Sequence, residues 1–190
     1  MKPRNKKVKL DEEKFKKIVR PYLMKCRPGD LNHSLKVVSW IKKIGKNRKD
    51  LDFLKIAGYI HDSGWYNVLP KEKTTLAEII KYEKIANPNS SVMVDKILKP
   101  LGYSKKEIAE VNRLISAADK HRSKKDDEAI IVDADSLSKL NIQHLKEKYE
   151  KSDWPNLIAL WERELPKRVN TEYARKIYPK LLKDLSGRIK

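Results

Sequence analysis

Apolar residues return along this chain at intervals of three and four, and nowhere alternate as a strand would, so the pattern predicts helices throughout and an all-α fold. Asp11-Glu12-Glu13 opens the first helix with acids in its first turn. Its apolar side is Phe15, Ile18, Val19, Tyr22 and Leu23, and Pro21 is expected to kink or end it. Arg27-Pro28-Gly29-Asp30 reads as a turn, with Asp30 capping a helix whose face is Leu31, Leu35, Val38, Ile41 and Ile44 before Gly45. Asp50 is placed to cap the next helix, which carries Leu51, Phe53, Leu54, Ile56, Ala57 and Ile60, and Gly64 to let it stop.

Beyond it, Trp65-Tyr66-Asn67-Val68-Leu69-Pro70-Lys71 has no periodicity and is expected to form a loop that lids a site. Thr75-Leu76-Ala77-Glu78 and Ser104-Lys105-Lys106-Glu107 are capping boxes. The first starts a helix expected to run to Ala86, where Asn87-Pro88-Asn89 breaks it, with a new helix from about Ser90. The second starts a helix with Ile108, Val111, Leu114, Ile115 and Ala118 on one face, leading to His121. Ala129, Ile130, Val132, Ala134, Leu137 and Leu140 mark the next. After Asn141, Leu145 and Tyr149 indicate a short helix, Pro155 starts another that Pro166 ends, and Thr171 caps a last one through Leu181. The expected organisation is a basic mobile arm over residues 1–10, a helical domain over 11–140, and C-terminal helices over 141–190 packed on that domain, with a homodimer contact as their competing use.

Composition narrows the setting. With 190 residues the chain is long enough for one buried core, and no apolar run approaches the roughly 20 residues that cross a bilayer. Met1 to Leu10 lacks the apolar stretch of a signal peptide, and a lone Cys26 cannot form an internal disulfide, so the expected compartment is the cytoplasm and no membrane partner is expected. Lys and Arg number 44 against 26 Asp and Glu, a net charge of +18 that favours anionic ligands, nucleotides or nucleic acid among them. The lysines are spread through nearly every segment, as on solvated helix faces.

The candidate chemistry begins at His61-Asp62, placed on the last turn of a buried helix. An aspartate there meets both burial and the negative end of the helix dipole, and a divalent cation resolves the conflict. Adjacent helical residues point about 100° apart, so the two can share one ion only where the helix frays. Upstream, His33 lies near a helix N-terminus, whose positive potential keeps the ring neutral and free to bind metal. Downstream, Asp133 and Asp135 sit two apart in an apolar helix and face opposite sides.

In chain order these residues give His, His-Asp and Asp. Their contexts are His33-Ser34-Leu35-Lys36-Val37, Ile60-His61-Asp62-Ser63-Gly64 and Asp133-Ala134-Asp135-Ser136-Leu137. The set resembles the HD-domain family of metal-dependent phosphohydrolases. That resemblance implies an HD-like helical bundle and one divalent ion (Mn, Fe, Co, Ni, Zn or Mg) on His33, His61, Asp62 and Asp135. It further implies hydrolysis of a phosphate monoester or pyrophosphate, foremost of a nucleotide, by metal-activated water. Asp133 would orient a ligand or meet solvent. His121 would bind the scissile phosphate or protonate the leaving oxygen, and Lys36 would clamp phosphate, whereas His144 lies outside every motif and reads as a surface histidine. Two departures shape the expectation. Asn87-Pro88-Asn89 stands where two-metal members bring histidines, so one metal is expected. Ser63-Gly64-Trp65 lacks the acid that nucleotidase members carry, which leaves Glu83 or His121 to assist. The competing readings are an HD-type nuclease and a non-catalytic basic module that binds nucleic acid.

Overall fold

The computed structural model describes residues 9–69 and 75–189, so residues 1–8 of the basic arm, and Pro70 and Lys71 of the expected lid, lie outside the described residues. Among the described residues the fold is all-α, with nine α-helices and no strand. They are α1 (Glu12–Leu23), α2 (Asp30–Ile44), α3 (Leu51–Ile60), α4 (Leu76–Leu98), α5 (Lys105–Asp119), α6 (Asp126–Lys139), α7 (Ile142–Lys148), α8 (Trp154–Arg168) and α9 (Glu172–Ile189). None is long and apolar enough to cross a membrane.

The starts follow the local chemistry. Asp11, Thr75, Ser104 and Asn141 each accept a backbone N–H of the first turn, and Thr75–Glu78 and Ser104–Glu107 close as full capping boxes. Thr171 Oγ1 accepts from Ala174 N at 3.2 Å and starts α9. Asp50 does not cap α3. Its carboxylate is taken by Arg48 through two 2.7 Å hydrogen bonds.

At the centre lies α3, buried from Ile56 to Ile60 and packed against α1, α2, α5 and α6. Gly58 lets α2 come close, since a Cβ there would stand 2.5 Å from the Ile41 side chain. The face that α2 turns inward differs from the expected one. Leu35 is 41% exposed, while His33, Ser34, Val37, Val38 and Ile41 are buried. Polar residues thus take an inward position that apolar periodicity assigns to leucine, and α6 goes further, with Asp133, Asp135, Ser136 and Ser138 all buried among its apolar residues.

Proline proves a weaker breaker than expected. Helix α4 runs unbroken through Asn87-Pro88-Asn89, although a proline in a helix interior costs about 3 kcal/mol. Packing on the turn that follows α3 offsets that cost: Asn89 Nδ2 donates to Gly64 O at 2.8 Å, and Ala86 is fully buried. Helices α1 and α8 likewise continue past Pro21 and Pro166 to Leu23 and Arg168. The C-terminal helices α7, α8 and α9 all pack against α6.

Candidate metal centre

Three elements deliver the candidate ligands. Gly29 takes φ 77°, a left-handed conformation suited to glycine, and turns the chain into α2. Asp30 is the first residue of that helix rather than its cap, fully buried and holding Arg27 N at 2.9 Å and Arg27 Nε at 3.2 Å. His33 follows one turn on and points inward. At the end of α3 the chain tightens into a 3-10 turn, His61–Trp65, which brings His61 Nε2 within 3.6 Å of Asp62 Oδ2. Gly64 does not end a helix by its freedom. Its hydrogen lets the turn lie on α4, because a Cβ would stand 2.3 Å from Ala86 O and 2.4 Å from Ser90 Oγ. The third element, α6, supplies Asp135.

His33 Nε2 stands 3.0 Å from Asp135 Oδ1 and 3.7 Å from Asp62 Oδ2, and His61 Nε2 is 3.6 Å from both. Ligand atoms about 2.1 Å from one ion are separated by roughly 3.0–4.2 Å, a range that includes each of these spacings. Of the four, His33, His61 and Asp62 form a mutually close, buried group, and Asp135 is not part of it, although it approaches both imidazoles. The second nitrogen of each ring is already used. His61 Nδ1 donates to Gly58 O at 2.9 Å, which leaves Nε2, buried and without a hydrogen-bond partner, to take a proton or a cation. Ser138 Oγ donates to Asp135 O at 2.6 Å and accepts from His33 Nδ1 at 3.0 Å, so the His33 Nε2 lone pair faces a carboxylate. Lone pairs turned toward carboxylates need a proton or a cation between them.

The charge environment divides the two rings. Burial and Lys148 push His33 down to about 3, so it is neutral. Burial alone would lower His61 too, but Asp62 and Asp135 hold it up to about 9. Both carboxylates stay well below the ordinary range despite burial, Asp62 through Arg27, Lys148 and His61, Asp135 through Lys139 and the two histidines.

The cluster opens into a cavity of about 320 Å³. Four cations line it, Arg27, Lys139, Lys148 and Arg168, against four carboxylates, Asp62, Glu83, Asp119 and Asp135. Trp65, Tyr149, Leu157 and Trp161 give it apolar walls, the last three from the C-terminal helices and their connection. His121, at φ 50°, also lines the cavity, with Nδ1 3.9 Å from Asp135 Oδ2; burial and Lys139 lower it to about 4.

Several expectations are corrected. Lys36 is not among the lining residues, and its ammonium donates to Asn141 Oδ1 at 2.5 Å. The cations beside the cluster are Arg27, Lys139 and Lys148, which sequence reasoning passed over. Asp133 neither meets solvent nor orients a ligand: fully buried, it accepts from Asn170 N at 2.8 Å and Thr171 N at 2.6 Å and anchors the start of α9. His144 is no surface residue. It is 3% exposed, its ring centroid is 4.9 Å from that of His33, and its Nε2 has no hydrogen-bond partner. Its spacing of four from Lys148 was the available signal, since both fall on the inward face of α7. Asp119 was missed too. Burial, with Asp62 and Asp135 nearby, raises it to about 7, and its place at the C-terminus of α5 is the same oddity that drew attention to Asp62.

In comparisons with known proteins, no family model matches the chain, and no curated protein and no solved structure is significantly similar to it.

Proposed function

We propose that the protein is an HD-type metal-dependent phosphohydrolase that cleaves a phosphate monoester or pyrophosphate bond, foremost in a nucleotide. The observation that carries this reading is the convergence of His33, His61, Asp62 and Asp135 with both imidazole Nε2 atoms turned into the cluster. Two nitrogens and two carboxylate oxygens are a donor set suited to one first-row divalent ion. Such an ion, when bound, supplies Lewis acidity toward water and toward a phosphoryl oxygen.

The other roles fall to side chains of the cavity. Its four cations face four carboxylates, of which Asp119 is in part protonated, so a divalent ion leaves a surplus of positive charge, which suits a phosphate dianion. Asp119, held up to about 7, carries its proton for part of the time at neutral pH and is suited to protonate a leaving oxygen. His121 stays neutral there and is suited to hydrogen-bond the same group. Trp161 and Leu157 offer an apolar wall to a base. A buried cluster in a cavity of about 320 Å³ favours a small substrate over a nucleic-acid strand.

The test is elemental analysis of the purified protein beside Asp135→Ala, then hydrolysis of a panel of nucleotides and simple phosphate esters with the metal found. Metal in the wild type alone, with turnover of at least one substrate, is the expected result. A metal-loaded wild type that turns over none of them refutes the reading.

A further inference from the structure

Lys148 is 3% exposed and sits on the last turn of α7, with its ammonium between two buried carboxylates, Asp30 and Asp62. Arg27 approaches the same pair from the other side. Its Nη2 is 2.8 Å from Asp62 Oδ2, its Nε is 3.2 Å from Asp30 Oδ2, and its guanidinium lies over the Trp65 ring, 4.0 Å from the centroid. Both cations line the cavity.

As scaffolding alone this arrangement is poor, because a buried ion pair contributes little more than well-packed apolar side chains would. The atom both cations share gives them another use. Asp62 Oδ2 is also the oxygen that faces His33 Nε2 and His61 Nε2. A single carboxylate oxygen cannot serve two protein cations and a divalent ion at full strength. Once it is committed to the ion, Arg27 and Lys148 keep Asp30 and have spare N–H donors at the cavity. A tetrahedral anion offers several oxygens to such donors, and the planar fork of Arg27, stacked on Trp65, is already oriented.

We infer that Lys148 and Arg27 form the phosphate subsite of this cavity, taking the oxygens of a phosphoryl group beside the ligand cluster. The inference rests on the metal-hydrolase reading and replaces Lys36 as the clamp. It carries a sign that a scaffolding role lacks. Both side chains compete with the metal for Asp62, so removing either loosens phosphate while leaving metal affinity unchanged or higher.

Calorimetric titration of inorganic phosphate and, separately, of manganese into the full-length wild type, Lys148→Met and Arg27→Lys tests this, with circular dichroism reporting the fold. Phosphate affinity of the manganese-loaded protein is expected to fall about tenfold or more in each variant, the loss of one hydrogen bond to a charged group, with manganese still bound. Unchanged phosphate affinity in the folded variants overturns the subsite. Should Lys148→Met not fold, Arg27→Lys, which keeps the charge beside Asp30, decides alone. Should the wild type bind neither manganese nor any other of the candidate divalent ions, the metal reading falls and takes the subsite with it, whereas bound metal with unchanged phosphate affinity in the variants removes the subsite alone.

Discussion

Ser138 holds the Nδ1 proton of His33 at 3.0 Å, and so fixes which nitrogen of that ring faces Asp135. The hydroxyl is itself fixed by donation to Asp135 O, so one small side chain orients one candidate ligand and ties it to the helix that bears another. Ser138→Ala is therefore expected to lower metal affinity by about 10–100-fold, the usual range for a partner that orients a ligand, with the helical content unchanged. Titration of metal against a chelating indicator checks it, and wild-type affinity in the variant would remove Ser138 from the site.

Protonation makes the metal-free protein sensitive to alkali. The folded His61 sits near 9 against an ordinary 6.5, so its contribution to stability is complete below 6.5 and is lost as pH rises through about 9. His33 and His121, pushed down to about 3 and 4, act with the opposite sign, but only below 6.5. Urea unfolding of chelator-treated protein is expected to show stability falling between neutral pH and 9. Metal, which takes the same Nε2, is expected to flatten that fall.

Gly64 is a packing requirement rather than a helix stop. Gly64→Ala places a methyl against Ala86 O and Ser90 Oγ, which belong to α4 and have little room to retreat. The expected cost is about 2–3 kcal/mol, read as a melting temperature lower by roughly 5–10 °C. Because Asp62 lies in the same turn, metal affinity should weaken along with stability.

Asp119 and His121 compete for the role of proton donor. If Asp119 donates, Asp119→Asn lowers kcat by about 100-fold or more with metal content intact. In the wild type, activity should then decline on the alkaline side as this carboxyl loses its proton, at a lower pH than in the metal-free protein because a bound ion offsets the charges of Asp62 and Asp135 that help to raise it. A wild-type rate in Asp119→Asn, with loss of activity in His121→Gln, would assign the proton to His121.

How far the chain could be read before folding depended on whether the information was local. Thr75 with Glu78, and Ser104 with Glu107, are three apart, and both helix starts were legible. So were His33, His61, Asp62 and Asp135, because each sits in an apolar helical context that makes a polar residue conspicuous. Continuation of α4 through Pro88 was not legible, since it depends on Asn89 reaching Gly64, 25 positions away. The inward turn of α2 was misread because Leu35 fitted the apolar period as well as the true face did, and only the cluster on α3 and α6 draws His33 and Ser34 inward. Arg27, which the sequence reads as a turn residue, His144, which it reads as a surface histidine, and Lys148 are brought to the site by long-range packing. In a chain with 44 basic residues, nothing local separates a buried lysine from a solvated one.

The short helix α7 has one more effect. A boundary at Asn141 divides the chain into a core and an appendage, yet Lys148 reaches back across it to Asp30 and Asp62, and Tyr149 and Trp161 supply cavity wall. Melting that tail would leave Arg27 alone to balance two interior acids, so the polypeptide should denature in a single concerted step.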